Sequence, residues 1–173
     1  MAIGVTPYRR FSQGTDGTGI SGINIATTLL GSSEGSVDIE DQDTFIRFRS
    51  ANFVSGINGD IPHSGYEIVG VECQVNQEVT NPAGPLNGVT VKIFNNDNGD
   101  VYHNEVITAA GLIGSNLKTF GGPNNINPPI LHTNQVVSQA TDNFDFELKI
   151  TDDAPSLTWT INGNNTDPSP AMR

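Results

Sequence analysis

The stretch Phe144-Asp145-Phe146-Glu147-Leu148-Lys149-Ile150 alternates large apolar side chains with charged ones at every position. Successive side chains of a β-strand point to opposite faces of its sheet, so the apolar groups share one face and the charges the other. The pattern predicts a strand in a sheet that is dry on one face and solvated on the other. Asp145 and Glu147, about 6–7 Å apart by strand rise, are expected on the solvated face.

Further runs of the same kind, separated by turn residues, occur at 44–49, 69–75, 89–93 and 157–161. With shorter runs between them they give about seven or eight predicted strands, and no ten-residue amphipathic helix pattern is present. The predicted fold class is all-β, a single jelly-roll or β-sandwich domain with an extended N-terminal arm. Trp159 is in phase with Leu157 and Ile161 and is expected in the core.

Composition divides the chain into three parts. Residues 1–43 are rich in Gly, Ser and Thr and are predicted to be the arm, residues 44–163 the jelly-roll or sandwich domain, and residues 164–173 a polar tail. The arm has too few apolar side chains to form its own core. It must lie against its own domain or a neighbouring subunit, and we expect it to contact neighbouring subunits. The predicted contact residues are Ile20, Ile23, Ile25, Leu29 and Leu30.

Charge and composition argue against several classes of partner. The net charge is −11, and the eight basic residues form no patch along the sequence, which argues against nucleic acid as a partner. No signal peptide and no apolar run of membrane-spanning length is found, so we expect a product of the cytoplasm with no membrane partner. The lone Cys73 excludes an internal disulfide and, in phase with neighbouring valines, is expected to be buried.

No pattern typical of an enzyme is found, and neither a catalytic residue nor a cofactor is predicted. His63, His103 and His132 are widely separated, and no Gly-x-Ser-x-Gly motif is present. The glycine-rich residues 14–22 lack the Gly-Lys-Ser/Thr of a phosphate-binding loop. Nineteen acidic residues supply many carboxylate pairs by chance, so such pairs do not indicate a glycosidase.

Residues 95–100 (Asn95-Asn96-Asp97-Asn98-Gly99-Asp100) place side-chain oxygens before a glycine, as calcium loops do. Val106 stands where a helix–loop–helix calcium site needs a glutamate, so a hairpin turn is the favoured interpretation. The metal candidates are Asn95, Asp97 and Asp100. The alternative is a loop site that they share with Asp38, Glu40, Asp41 or Asp43.

Ile61-Pro62 is followed closely by Glu67-Ile68-Val69-Gly70-Val71-Glu72. These residues resemble the Ile-Pro turn and the "x-Ile-x-Gly-Ile/Val-Glu-Val" strand of virion proteins of tailed bacteriophages, and the likeness covers roughly residues 45–162. The likeness continues through residues 89–94, Thr119-Phe120-Gly121-Gly122-Pro123 and residues 143–148. The family often has Asp-Leu-Trp after its Gly-Gly-Pro, whereas Asn125-Ile126-Asn127 stands here.

The resemblance implies a jelly roll that decorates capsids or builds fibres and adhesins, without catalytic residues. We therefore expect a capsid decoration (cement) protein located in the virion, with the major capsid protein or other virion proteins as partners. We also expect a homo-oligomer, a trimer, because closed symmetry protects sheet edges. The alternative is a tail-fibre or head-fibre adhesin module that binds a host-surface glycan through the loops at 95–104 and 111–130.

Overall fold

The computed structural model describes residues 8–11, 13–18, 24–31, 34–40, 42–50, 66–80, 89–96, 99–107, 114–127, 129–132, 144–151, 158–163 and 170–173. Within them the chain forms thirteen β-strands and one α-helix, α1 (Ile25–Leu29). The strands are β1 (Arg9–Arg10), β2 (Gln13–Thr18), β3 (Gly35–Ile39), β4 (Phe45–Ser50), β5 (Tyr66–Ile68), β6 (Val71–Thr80), β7 (Val89–Asn95), β8 (Val101–Ile107), β9 (Gly114–Gly122), β10 (Ile130–His132), β11 (Phe144–Ile150), β12 (Thr158–Gly163) and β13 (Ala171–Met172).

The strands form two large antiparallel sheets. In sheet A the order is β1-β13-β6-β12-β3, and β9 pairs with the other edge of β6. In sheet B the order is β2-β4-β11-β7-β8, while β5 and β10 form a separate two-stranded sheet. The two large sheets pack face to face as a sandwich.

Eight of these strands are connected as a jelly roll. These strands are, along the chain, β3, β4, β6, β7, β8, β9, β11 and β12. The strand β3 pairs with β12, β4 with β11, β6 with β9, and β7 with β8. This long antiparallel ribbon is wrapped so that β12 also pairs with β6, and β11 with β7. The order is that of a double-sheet jelly roll, so the predicted all-β fold class is confirmed.

The core lies between the apolar faces of the two sheets. The four apolar side chains of β11 are at most 1% exposed, because this strand lies inside sheet B between β4 and β7. The ring of Phe146 lies 5.9 Å from that of Phe11, 6.3 Å from that of Phe48 and 6.0 Å from that of Phe120. Since Phe120 belongs to β9 of sheet A, this aromatic cluster joins the sheets.

The inward positions of sheet A confirm two expectations. Trp159 is completely buried in the core. Cys73 is also fully buried, and burial, with the nearby charge of Glu72, raises the pKa of its thiol well above the usual range. The thiol therefore packs as a small apolar side chain.

The structure differs from the predicted division at residue 43. The strand β3 pairs with β12 inside sheet A, β2 pairs with β4 in sheet B, and β1 pairs with β13. The described parts of residues 1–43 are thus built into the sandwich of the same chain. Sequence patterns missed this because β2, Gln-Gly-Thr-Asp-Gly-Thr, lacks apolar alternation and is a strand only through its pairing with β4.

The helix α1 lies against β2 of sheet B and against β3 and β12 of sheet A. Its N-cap is Asn24, whose side-chain oxygen accepts a 3.1 Å hydrogen bond from the N–H of Thr27. Ile25 and Leu29, one turn apart, point into the core. A Cβ at Gly163 would lie 2.5 Å from the carbonyl oxygen of Leu29, so glycine permits this close approach of helix and sheet.

The predicted C-terminal tail also differs from the structure, since its last residues form β13 beside β6. The backbones of Arg173 and Glu72 exchange two hydrogen bonds of 2.9 Å. The guanidinium of Arg173 also donates to the Glu72 carboxylate, at 2.8 and 2.7 Å. The Tyr8 hydroxyl donates to the same oxygen, and its ring lies 4.5 Å from the guanidinium. Residues near both ends of the chain are therefore joined at one carboxylate.

Candidate interaction surfaces

The charged face of β11 is not the solvated surface that the alternation predicts. Asp145 is fully buried although it lies on the outer face of sheet B. Arg49 on the neighbouring strand binds it through two hydrogen bonds, from Nε at 2.8 Å and from Nη2 at 2.9 Å. The expectation of a solvated Asp145 was wrong because its burial depends on side chains from β4 and β7, which are distant in sequence.

Cations and aromatic rings cover this outer face. The guanidinium of Arg47 binds Glu147, with Nε at 3.0 Å, and lies 5.1 Å from the ring centroid of Phe45 and 5.2 Å from that of Phe94. The ammonium of Lys92 lies 4.6 Å from the same Phe94 ring. The carboxylates thus lie beneath a layer of guanidinium and ammonium groups that stack on aromatic faces.

Four of the eight basic residues of the chain converge on the outer face of sheet B, which we call the basic face: Arg47, Arg49, Lys92 and Lys149. The basic residues form no patch along the sequence, but the fold brings these four onto one face, where Arg47, Arg49 and Lys149 pair with Glu147, Asp145 and Asp43. Each of the four occupies the polar phase of its strand, which the sequence does show. The order of the strands, which it does not show, brings the four together. Val101 and Val106 of the edge strand β8 lie at the border of this face and are 49% and 71% exposed.

The outer face of sheet A exposes carboxylates in place of cations. We call it the acidic face, and its exposed carboxylates are Glu34, Asp38, Glu40 and Glu78. The hydroxyl of Thr160 donates to Asp38 at 2.6 Å, and the hydroxyl of Thr158 donates to Glu40 at 3.2 Å. Leu117 of the edge strand β9, 49% exposed, borders this face.

A shallow depression of about 350 Å³ lies on the acidic face. Amide, hydroxyl and carboxylate groups line it, together with backbone of two glycines. The lining residues are Glu34, Gly35, Ser36, Asn76, Asn162 and Gly163. These groups are suited to hydrogen-bonding a polyhydroxylated ligand.

The structure separates the five predicted contact residues. Ile25 and Leu29 are 6% and 0% exposed in the core of their own chain, so they are not available to a neighbouring subunit. Leu30 is partly buried against the same core. Ile20 and Ile23 lie outside the described residues.

The candidate calcium residues lie at the β7–β8 turn. The backbone N–H of Asn95 donates to the carbonyl of Asp100 at 2.8 Å, and that of Gly99 donates to the carbonyl of Asn95 at 2.9 Å. The Asn95 side chain is 1% exposed and hydrogen-bonds the Tyr102 hydroxyl. These contacts fit the hairpin interpretation, whereas Asp97 lies outside the described residues.

Among the residues that the structure describes, no group of three or more His, Cys, Asp or Glu side chains could hold a metal ion. His103 lies on β8, where its Nε2 is 3.2 Å from a carboxylate oxygen of Glu105. His63 and the side chain of His132 are outside the description. Of the two segments proposed as glycan-binding loops, 95–104 includes the first four residues of β8, and 111–130 includes the whole of β9.

No helix in the described part of the chain is long and apolar enough to span a membrane. In comparisons with known proteins, no protein-family model, curated protein or solved structure matches the chain.

Proposed function

We propose that this chain is a virion structural protein, a capsid decoration (cement) protein that binds and stabilises the head shell of a tailed phage. The observation that carries the proposal is the jelly-roll strand order, an architecture used in viral capsid and lectin domains. The resemblance of residues 53–72 and 119–123 to virion proteins of tailed phages supports the same class. The role is mechanical and requires no catalytic group.

The joined chain ends support a load-bearing role. Tyr8 and Arg173 both bind Glu72 on β6, a strand that pairs with β9 on one edge and with β12 and β13 on the other. A pull on Tyr8 or on Arg173 is therefore resisted by the sheet. A cement protein must transmit force between shell subunits in this way.

The test is to add the purified chain to head shells that lack it. The expected result is regular occupancy on the shell in electron micrographs and a higher melting temperature of the shell. Binding to the assembled form alone stabilises it by linkage, by about 2.7 kcal/mol per site at a free concentration of about 100 Kd. Location on the tail, or an unchanged shell melting temperature at saturating protein, would exclude the cement role.

Ile20, Ile23 and the partly buried Leu30 are the proposed shell contacts that remain after Ile25 and Leu29 are assigned to the core. Replacing Ile20 and Ile23 by Ser is expected to lower shell occupancy without changing the stability of the isolated protein. Deleting residues 1–43 is not an equivalent experiment, because it removes β1 to β3 and the buried side chain of Leu29.

The second candidate function is an adhesin module that binds a host-surface glycan. The depression on the acidic face favours it, since amide and carboxylate groups there suit sugar hydroxyls. If this is the function, the purified chain binds host cells, and Asn162→Leu removes that binding while Asn127→Leu, at an exposed position outside the depression, does not. Equal binding of both variants would exclude the depression as the glycan site.

A further inference from the structure

We propose that the basic face of one copy docks on the acidic face of a second copy, so that the chain associates head to tail. The partner is a second copy because one outer face exposes cations that lie over its carboxylates Asp145 and Glu147, whereas the other outer face exposes carboxylates. The contact is a property of the isolated chain and does not rest on the proposed role at the head shell.

The cations of the basic face are spaced for this contact. Arg47 and Lys92 lie in one row of sheet B, each beside the same residue of β11. Neighbouring strands are about 4.8 Å apart, so the two side chains start about 10 Å apart. Both heads rest on the Phe94 ring, which limits their freedom before any partner arrives.

The carboxylates of the acidic face repeat that spacing. Asp38 and Glu78 lie in one row of sheet A, each beside Thr160 of β12, and are therefore also about 10 Å apart. Both are exposed, and the Thr160 hydroxyl orients the Asp38 carboxylate. Two cations on one copy can thus lie opposite two anions on the next.

Exposed apolar side chains border both faces at matching positions. Leu117 lies on β9, the strand next to that of Glu78, and Val101 and Val106 lie on β8, the strand next to that of Lys92. These three are the exposed large hydrophobic side chains among the residues that the structure describes. Apolar contact beside the charge pairs supplies the attraction that surface ion pairs alone lack.

The contact joins two different faces, so it is heterologous, and such contacts form rings only when the rotation between copies closes. The faces lie on opposite sides of one sandwich, which favours an open row over the trimer expected from the sequence. Each copy carries a charge of −11, and at about 0.1 M salt the Debye length of about 10 Å screens distant repulsion while facing pairs still interact.

Two exposed positions give a direct test by analytical ultracentrifugation in about 0.1 M salt. Val106→Asp places a negative charge on the basic face, and Glu78→Lys places a positive charge on the acidic face. Each variant alone is expected to associate at least about tenfold more weakly than the wild type, because like charges then face each other. A mixture of the two variants is expected to regain association. The acidic face is unchanged in the Val106→Asp variant, and it can bind the basic face, which is unchanged in the Glu78→Lys variant.

Asn127→Asp and Glu67→Lys make the same charge changes at exposed positions outside both faces and serve as controls that associate like the wild type. The proposal is overturned if the wild type is monomeric at high protein concentration. It is also overturned if Glu78→Lys alone associates as strongly as the wild type, or if the mixture stays monomeric. Thermal unfolding of each variant confirms that the loss of association is not a loss of fold.

Discussion

The indole Nε1 of Trp159 donates a 2.6 Å hydrogen bond to Oε1 of Gln77, and both side chains are fully buried. Gln77 occupies an inward position of β6, between Val75 and Val79, where the alternation of the strand places apolar residues. Its amide also donates to Oδ1 of Asn116 at 3.3 Å. One buried polar side chain thus links β12 to β9 across β6.

Replacing Gln77 by Leu keeps the volume of the core nearly constant but leaves the indole N–H of Trp159 without this acceptor. The free energy of unfolding is expected to fall by about 1–3 kcal/mol in urea titrations. In a Trp159→Phe background the same change costs less, because no indole N–H remains to be satisfied. Equal costs in the two backgrounds would show that the hydrogen bond contributes nothing.

Replacing Arg49 by Met removes two hydrogen bonds from Asp145, a carboxylate that is completely buried. We expect a loss of about 2–3 kcal/mol, below the 3–5 kcal/mol of a fully buried pair, because the Arg49 side chain is 26% exposed. The matched control is Lys149→Met, whose partner Asp43 is 71% exposed and whose loss costs under about 1 kcal/mol. Similar losses for both variants would contradict the assigned role of burial.

Because the pKa of the Tyr8 hydroxyl is raised in the folded protein, we expect the protein to lose stability in alkali. Burial, the hydrogen bond to Glu72 and the negative charge of Glu72 raise the pKa of Tyr8 from 10.0 to about 12. The folded state therefore holds this proton more tightly than the unfolded state. The stabilisation is complete below pH 10 and is lost as the pH rises through about 12.

Urea titrations across this pH range measure the effect, with Tyr8→Phe as the comparison. The variant is expected to lose stability less steeply, although not flatly, since burial also raises the pKa of Tyr102. Parallel curves for wild type and variant would mean that Tyr8 is not the group responsible.

Gly121 and Gly99 form a matched pair for backbone strain. Both have positive φ, of 84° and 82°. A Cβ at Gly121 would lie 2.4 Å from the carbonyl oxygen of Val71, whereas a Cβ at Gly99 meets nothing within 4 Å. Gly99→Ala is expected to cost about 1–2 kcal/mol from φ alone, and Gly121→Ala clearly more. Thermal unfolding of the two variants measures the difference, and equal costs would contradict this geometry.

The alternation in β11 was sufficient to predict the strand, its apolar face and the fold class. It could not predict that Asp145 is buried, because Arg49 and Phe94 reach it from strands 96 and 51 positions away along the chain. The basic face could not be predicted for the same reason. Its four cations occupy polar positions of their strands, but they belong to three different strands. Local periodicity gives the face of a residue, and only strand order gives its neighbours.

The N-terminal prediction failed for a related reason. Gly, Ser and Thr between residues 1 and 43 suggested an arm, yet β2 and β3 take their partners from β4 and β12. The edge strand β2 has little apolar content and is defined by the strand that it joins, whereas Val37 and Ile39 of β3 do alternate with polar residues and lie in the core. The burial of Leu29 likewise depends on Gly163, far away in sequence.

The shared carboxylate of Glu72 has a consequence for engineering. Since Tyr8 and Arg173 meet there, a short peptide linker could connect the two without crossing either sheet. New termini opened at the β7–β8 turn, near Gly99, would then give a circular permutant with every strand pair intact. Cargo fused directly at Tyr8 and at Arg173 would leave the sandwich from the same corner, so a display scaffold built in this way would present two passengers side by side.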